Sequence, residues 1–208
     1  MHYSSDYVYP GDGDAPWQET DATVPLSVYG QTKLDGDVAV MANCNKHLIF
    51  RTSWVYAARG TNFMGTMLKL AQSREALNVV ADQVGAPTPA RLIAQVTVQA
   101  LHQALLKERQ GDDASVLSGV YHLAPQGHCS WYEFAAEIFS LARQAGMPLA
   151  LKPEQLKPIA TSDYPTPAKR PANSRLNLAK VEQTFGLQLP DWQQQLAMTF
   201  DELHHLKD

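Results

Sequence analysis

The sequence predicts an α/β fold in which a parallel sheet is joined by crossover helices. Two observations carry that expectation. Short apolar and β-branched runs alternate with longer stretches of helical period, in the order strand, helix, strand, helix. Polar clusters also stand towards the ends of the first two strands, Ser5-Asp6-Tyr7 in one and Thr52-Ser53-Trp54 in the other. That places both at one carboxyl rim, where parallel sheets bind their ligands.

Taken in order, Met1 to Tyr9 alternates and is rich in Tyr and Val, the pattern of a short strand, and Pro10-Gly11-Asp12-Gly13-Asp14 ends it. A loop through Trp17, Glu19 and Asp21 to Pro25 leads into a helix from Ser27 to Ala42. His47 to Tyr56 (HLIFRTSWVY) reads as the clearest buried strand, apolar and β-branched at its centre. Asn62 to Ser73 is a helix with Phe63, Met67 and Leu70 at helical spacing. Leu77 to Val80 is a brief strand running into Asp82-Gln83-Val84-Gly85-Ala86-Pro87-Thr88. A long apolar-periodic helix then runs to Leu106, capped by Thr88 or launched by Pro89.

Lys107 to Ser115 reads as a charged, exposed loop and Gly119 to Ala124 as a strand. Ser130 and Glu133 have capping-box spacing for a helix from Trp131 to Ala145 that Gly146 ends. Pro148 to Pro171 holds six of the thirteen prolines, which predicts an extended segment wrapping the surface and flooring a pocket. Asn177 to Phe185 and Trp192 to Lys207 are the last predicted helices.

A chain of 208 residues that is 45% hydrophobic and 18% charged can bury a sizeable core as one large domain or two small ones. Its formal net charge of -4 builds no field for nucleic acid or an anionic membrane, although a small phosphorylated ligand held by a few local groups is compatible with it. The two cysteines, Cys44 and Cys129, lie far apart without metal or redox spacing, and are read as reduced, buried thiols. The opening MHYSSDYVYP has neither a basic nor an apolar signal region, and no apolar run reaches membrane-spanning length. A soluble, cytoplasmic protein is expected.

The chemistry concentrates on Tyr29 and Lys33. Four residues apart in a helix, they lie on one face, with an ammonium beside a phenol. A cation next to a phenol favours the phenolate and brings such a group towards the range useful for proton transfer. The Ser5 hydroxyl, delivered from the end of the neighbouring strand, could hold a substrate oxygen against Tyr29. Together the three make a proton-transfer site for carbonyl chemistry. Competing motifs fall short. Gly11-Asp12-Gly13 lacks the third glycine and following helix of a dinucleotide fingerprint. Gly60 to Gly65 has phosphate-loop spacing, but Thr66 replaces the lysine, and the seven histidines show no zinc spacing, so no metal site is expected.

Five segments in order carry a family resemblance: Ser4-Ser5-Asp6-Tyr7-Val8-Tyr9, Tyr29-Gly30-Gln31-Thr32-Lys33, Arg51-Thr52-Ser53-Trp54-Val55-Tyr56, Asp82-Gln83-Val84-Gly85-Ala86-Pro87-Thr88 and Arg170-Pro171-Ala172-Asn173-Ser174-Arg175-Leu176. The chain resembles the dTDP-4-dehydrorhamnose reductases of the extended short-chain dehydrogenase/reductases over essentially its whole length. The resemblance implies the C-terminal part of a Rossmann-like sheet, with a nicotinamide-binding portion over 1–80 and a smaller mixed α/β substrate-binding region over 81–208 that returns some segments to the first. It implies NADPH or NADH as cofactor, a dTDP-sugar as substrate, and a place in dTDP-rhamnose and cell-surface polysaccharide synthesis. In these terms Tyr29 is the proton donor, Lys33 biases it and holds the nicotinamide ribose, and Ser5 completes the catalytic set.

Asp6, Tyr7 and Trp54 match positions that line the sugar site. Ser5 departs from the threonine usual there, keeping the hydroxyl but not the methyl that fixes its rotamer. Relatives also carry a segment ahead of the Ser4-Ser5-Asp6 strand, with the glycine-rich turn that binds pyrophosphate, so the expectation is a truncated and inactive form. A homodimer is a possible assembly. Some relatives pair through a metal, but Arg91 stands where they often carry Glu. Two other classes resemble the pattern, a non-catalytic regulatory subunit of methionine adenosyltransferase and a sugar-nucleotide epimerase or dehydratase.

Overall fold

The computed structural model describes residues 1–166 and 168–205. Its strands are β1 (His2–Ser5), β2 (Leu48–Thr52), β3 (Val55–Tyr56), β4 (Leu77–Val80), β5 (Val84–Gly85), β6 (Thr88–Pro89), β7 (Gly119–His122), β8 (Cys129–Ser130), β9 (Leu156–Ile159) and β10 (Asn173–Ser174). Its helices are α1 (Val28–Asn43), α2 (Phe63–Ser73), α3 (Ala90–Gln110), α4 (Trp131–Gln144), α5 (Ala179–Phe185) and α6 (Trp192–His205). The expected extension of the last helix to Lys207 lies outside the described residues.

The main sheet has the order β1-β2-β7, all parallel, with His2 opposite Ile49 and Arg51 opposite His122. β2 is its centre and is buried at every position: its Leu48-Ile49-Phe50 run suits a strand covered on both faces, and the Arg51 that follows is paired inside the protein. Three small pairings complete the chain: β3 with β6, β4 with β9, and β5 between β10 and β8. Two hydrophobic clusters result. One gathers Phe50 and Tyr121 of the main sheet and Leu123 just past β7 with Leu92, Val96 and Ala100 of α3 and Val181 and Phe185 of α5. The other packs Met64 and Leu68 of α2, Phe134 and Ile138 of α4 and Leu196 and Phe200 of α6 over β4.

Several expectations change in detail, each for a local reason. The first strand stops at Ser5 because the Ser5 Oγ accepts the Tyr7 amide and turns Asp6–Val8 into a short 3-10 helix. The strand expected over 47–56 is cut in two by Trp54, whose φ of 47° is left-handed. Thr88 does not cap α3; its hydroxyl donates to the Ala86 carbonyl and Pro89 takes the capping position. α3 runs on through the first part of the expected 107–115 loop to a left-handed Gly111, and Ala114 in the rest of that loop is buried, as is Leu117 just past it. The proline-rich segment contributes β9, a real strand paired with β4. Cys44 is exposed rather than buried, whereas Cys129 is buried as expected.

α1 is held on the sheet by buried charge. Arg51 of β2 donates from Nε to Asp37 Oδ2 of α1 at 3.0 Å and from Nη1 to the Tyr9 hydroxyl at 2.8 Å. Both ionic side chains are out of solvent, so each depends on the other for its charge to be tolerated.

Candidate active site

A cavity of about 830 Å³ opens at the carboxyl ends of β1 and β2. Ser5, Asp6, Tyr7, Tyr29, Trp54 and Arg170 line it. The parallel sheet alone accounts for the convergence of the first and second strands, since the loops leaving both of them emerge at that one rim. Tyr29 arrives because α1 starts above that rim, its first turn closed by Ser27 Oγ accepting the Gly30 amide at 3.1 Å. Gly30 is obligatory here, because a Cβ at that position would occupy the same space as the Tyr7 carbonyl oxygen. The Tyr-Gly-x-x-Lys spacing is therefore partly a packing requirement that lets α1 press on the Asp6–Val8 turn.

Ser5 Oγ donates to Asp6 Oδ1 at 3.0 Å while accepting from the Tyr7 amide at 3.2 Å. Asp6 is buried, and desolvation pushes its carboxyl up to about 6 against the opposing influence of the Ser174 and Ser5 hydroxyls. Tyr7 meets Tyr29 edge to face, ring centroids 5.5 Å apart. The Tyr7 phenol is also raised, by burial and the Asp6 charge, with the Arg170 cation opposing. Lys33 is not on the cavity wall. Its Nζ lies 5.9 Å from the Tyr29 ring centroid and donates to the Tyr3 carbonyl at 3.3 Å. The structure thus gathers Ser5, Asp6, Tyr7, Tyr29 and Trp54 around one space, with Lys33 beside Tyr29.

Three buried oxygens around this cavity, Ser4 Oγ, Asp6 Oδ2 and Thr52 Oγ1, have no hydrogen-bond partner among the described residues. Polar groups in that state favour a polar ligand able to satisfy them. Tyr29 and Lys33, a phenol and an ammonium on one helix face, are a donor set suited to a ribose hydroxyl. Gly11 and Gly13, by contrast, form no cradle: both are left-handed turn glycines, and the Gly11 carbonyl accepts the Ala172 and Asn173 amides.

A second cavity of about 710 Å³ adjoins the first. Phe63, Met67, Leu70 and Leu77 give it apolar walls, Asn78 offers an amide, Gln83 lines it with its own amide already hydrogen-bonded, and Arg170 lines both cavities. Between them two indoles stack, Trp54 on the first cavity and Trp131 on the second, 3.6 Å apart and 12° from parallel. Sequence reading gave no site role to Trp131 or Arg170, and left Asp82 and Gln83 evenly between a site role and shaping their loop. Arg170 stood inside a quoted segment without a role, and Trp131 was legible only as the start of a helix.

Comparisons with known proteins converge. The model of the RmlD substrate binding domain matches residues 1–205. A dTDP-4-dehydrorhamnose reductase of Escherichia coli K12 is 54% identical over 203 residues, covering 98% of this chain and 65% of that protein. The Salmonella typhimurium LT2 protein of the same name is 54% identical over 193 residues, 93% of this chain and 62% of that one. Among solved structures, a dTDP-4-dehydrorhamnose reductase of Bacillus anthracis Ames, in complex with NADP, superposes with a TM-score of 0.83 at 34% identity, over 97% of this chain and 64% of that one. A UDP-galactose 4-epimerase, at 16% identity and a TM-score of 0.70 over 98% of this chain and 62% of that one, shares the fold. The chain spans about 65% of the length of the first curated relatives it matches.

Proposed function

This chain belongs to the RmlD substrate-binding domain family, and from that premise we propose that it forms the proton-donating and sugar-binding part of a reductase converting dTDP-4-dehydrorhamnose to dTDP-L-rhamnose. The observation that carries the proposal is the meeting of Ser5, Asp6, Tyr7, Tyr29 and Trp54 on one cavity at the sheet rim, with Lys33 beside Tyr29. In this reading residues 1–80 are the nicotinamide-binding portion and residues 81–208 the substrate-binding region, from which α3, β7 and α5 return to the first hydrophobic cluster.

The reduced nicotinamide of NADPH or NADH, when bound, supplies the hydride that adds to the C4 carbonyl carbon of the sugar. Tyr29 gives its phenolic proton to the carbonyl oxygen, which becomes far more basic as the alkoxide develops. Lys33 holds positive charge beside that ring and is the group to bond the nicotinamide ribose. Ser5 positions the carbonyl oxygen, Asp6 and Tyr7 read neighbouring hydroxyls, and the Trp54 indole covers the deoxy face of the sugar. The second cavity, apolar with the Asn78 amide, suits the thymidine end, and Arg170, common to both cavities, is placed to meet a diphosphate joining the two ends.

The test is Tyr29→Phe in a protein that carries these residues together with a dinucleotide-binding segment, following nicotinamide absorbance with dTDP-4-dehydrorhamnose. Turnover is expected to fall by about a hundredfold or more while the KM for the sugar nucleotide stays close to the parent value. A variant as fast as the parent removes Tyr29 from the reaction.

A further inference from the structure

Gln83 is buried and both ends of its amide are committed. Its Nε2 donates to Thr161 Oγ1 at 3.1 Å, and its Oε1 accepts from Trp131 Nε1 at 3.1 Å. The orientation follows from the neighbours. The Thr161 hydroxyl proton goes to Asp82 Oδ1 at 2.6 Å, so that oxygen can only accept from Gln83, and an indole N–H can only donate. Asp82 also accepts the Thr161 amide with both oxygens at 2.9 Å, which fixes the hydroxyl in turn.

What Gln83 holds is the indole stack. Trp131 lies face to face on Trp54 and against Phe63, whose ring centroid is 4.6 Å away. Trp54 sits in a left-handed backbone conformation uncommon for a bulky residue, and its indole occupies the space that a Cβ on Gly85 would fill. Trp54 is thus placed by Gly85 beneath and Trp131 above, and Trp131 is placed by Gln83. The two rings are the wall between the cavities.

Resting on the functional reading given above, we propose that Gln83 is a positioning residue for the substrate. Its amide locks the Trp131–Trp54 stack as the partition between the two cavities, so that the sugar and nucleoside ends of a sugar nucleotide are seated at a fixed separation.

The test uses Gln83→Met, which keeps the volume and removes both hydrogen bonds, and Gln83→Glu, which keeps the acceptor facing Trp131. In the unliganded 208-residue chain labelled with nitrogen-15, four tryptophans give four indole N–H resonances, assigned through Trp54→Phe and Trp131→Phe. In Gln83→Met the Trp131 resonance is expected to move upfield and exchange faster with solvent, and Trp54 to lose the shift that the stacked ring imposes. Gln83→Glu keeps an acceptor for the Trp131 indole but sets a carboxylate oxygen against the accepting Thr161 Oγ1, so it should restore both only in part. In the holoenzyme, Gln83→Met should raise the KM for dTDP-4-dehydrorhamnose by about tenfold with kcat within about threefold, and Gln83→Glu should give a KM between that of Gln83→Met and the parent.

Unchanged resonances in Gln83→Met, or shifted resonances with an unchanged KM, overturn the proposal. If Gln83→Met does not fold, the same comparison is made with Trp131→Phe, which keeps a ring but loses the tether; a Trp54 resonance left in place there overturns it equally. An unsubstituted holoenzyme that does not reduce the sugar nucleotide would overturn the functional reading instead, and the resonances would still decide whether Gln83 fixes the stack.

Discussion

At the residue scale, Gly30 ties backbone packing to chemistry. Its missing side chain lets α1 rest on the Tyr7 carbonyl, and one residue earlier on the same turn is Tyr29. Gly30→Ala must push α1 away from the Asp6–Val8 turn, since a carbonyl oxygen is backbone and cannot swing aside. Overpacking of this kind costs about 1–3 kcal/mol, outweighing the gain in helix propensity of about 1 kcal/mol. Urea denaturation should show that loss, and activity should fall further than stability does because the phenol moves with its helix. A variant as stable as the parent would mean that the helix gives way at no cost. The glycine was legible in the sequence as part of a motif. Its reason was not, because the carbonyl it meets belongs to a turn more than twenty positions earlier.

At the element scale, the position of α1 depends on Asp37 meeting Arg51 inside the protein. Asp37→Ala leaves a guanidinium buried with only the Tyr9 hydroxyl as partner, and removing one member of such a pair costs about 3–5 kcal/mol. Thermal or urea unfolding should register that loss, and replacing both Asp37 and Arg51 by apolar residues should recover much of it. Periodicity and capping residues were enough to find α1, α2 and α4 and the central strand β2. They failed where tertiary pairing decides. β9 contains Pro158 and a lysine, poor strand material, and survives because it pairs on one side only, with β4, leaving the missing N–H of proline unneeded. The break at Trp54 was invisible for a similar reason, since its left-handed backbone is held by Gly85 and Trp131 from distant segments.

At the scale of the whole molecule, the first cavity was foreseeable because a parallel sheet delivers strand ends to one rim. The second was not, because α2, β4, α4 and the proline-rich segment each supply a wall and none carries a motif for it. The same assembly buries two titratable groups whose effects on stability oppose each other. His122 is fully buried, donating from Nδ1 to the Asn177 carbonyl and accepting at Nε2 from the Tyr9 hydroxyl, and burial with the nearby Arg51 charge drives it down to about 3. Between about pH 3 and its ordinary 6.5 the unfolded chain binds the proton and the fold does not, so stability rises with pH across that window.

Asp6, raised by burial from 3.8 to about 6, does the reverse. Between those values the fold keeps a proton that the unfolded chain releases, so its contribution is present at low pH and is lost as pH rises through about 6. The two slopes, each about 1.4 kcal/mol per pH unit, cancel over most of pH 4 to 6. Removing either should expose the other. Urea midpoints measured at pH 4, 5, 6 and 7 should change little in the parent from these two groups, rise with pH up to about 6.5 in Asp6→Asn, and fall with pH up to about 6 in His122→Asn. Three parallel profiles would mean that neither group has its proton affinity changed by folding, and the unpartnered Asp6 oxygen at the cavity would then belong to an ordinary ionised carboxylate.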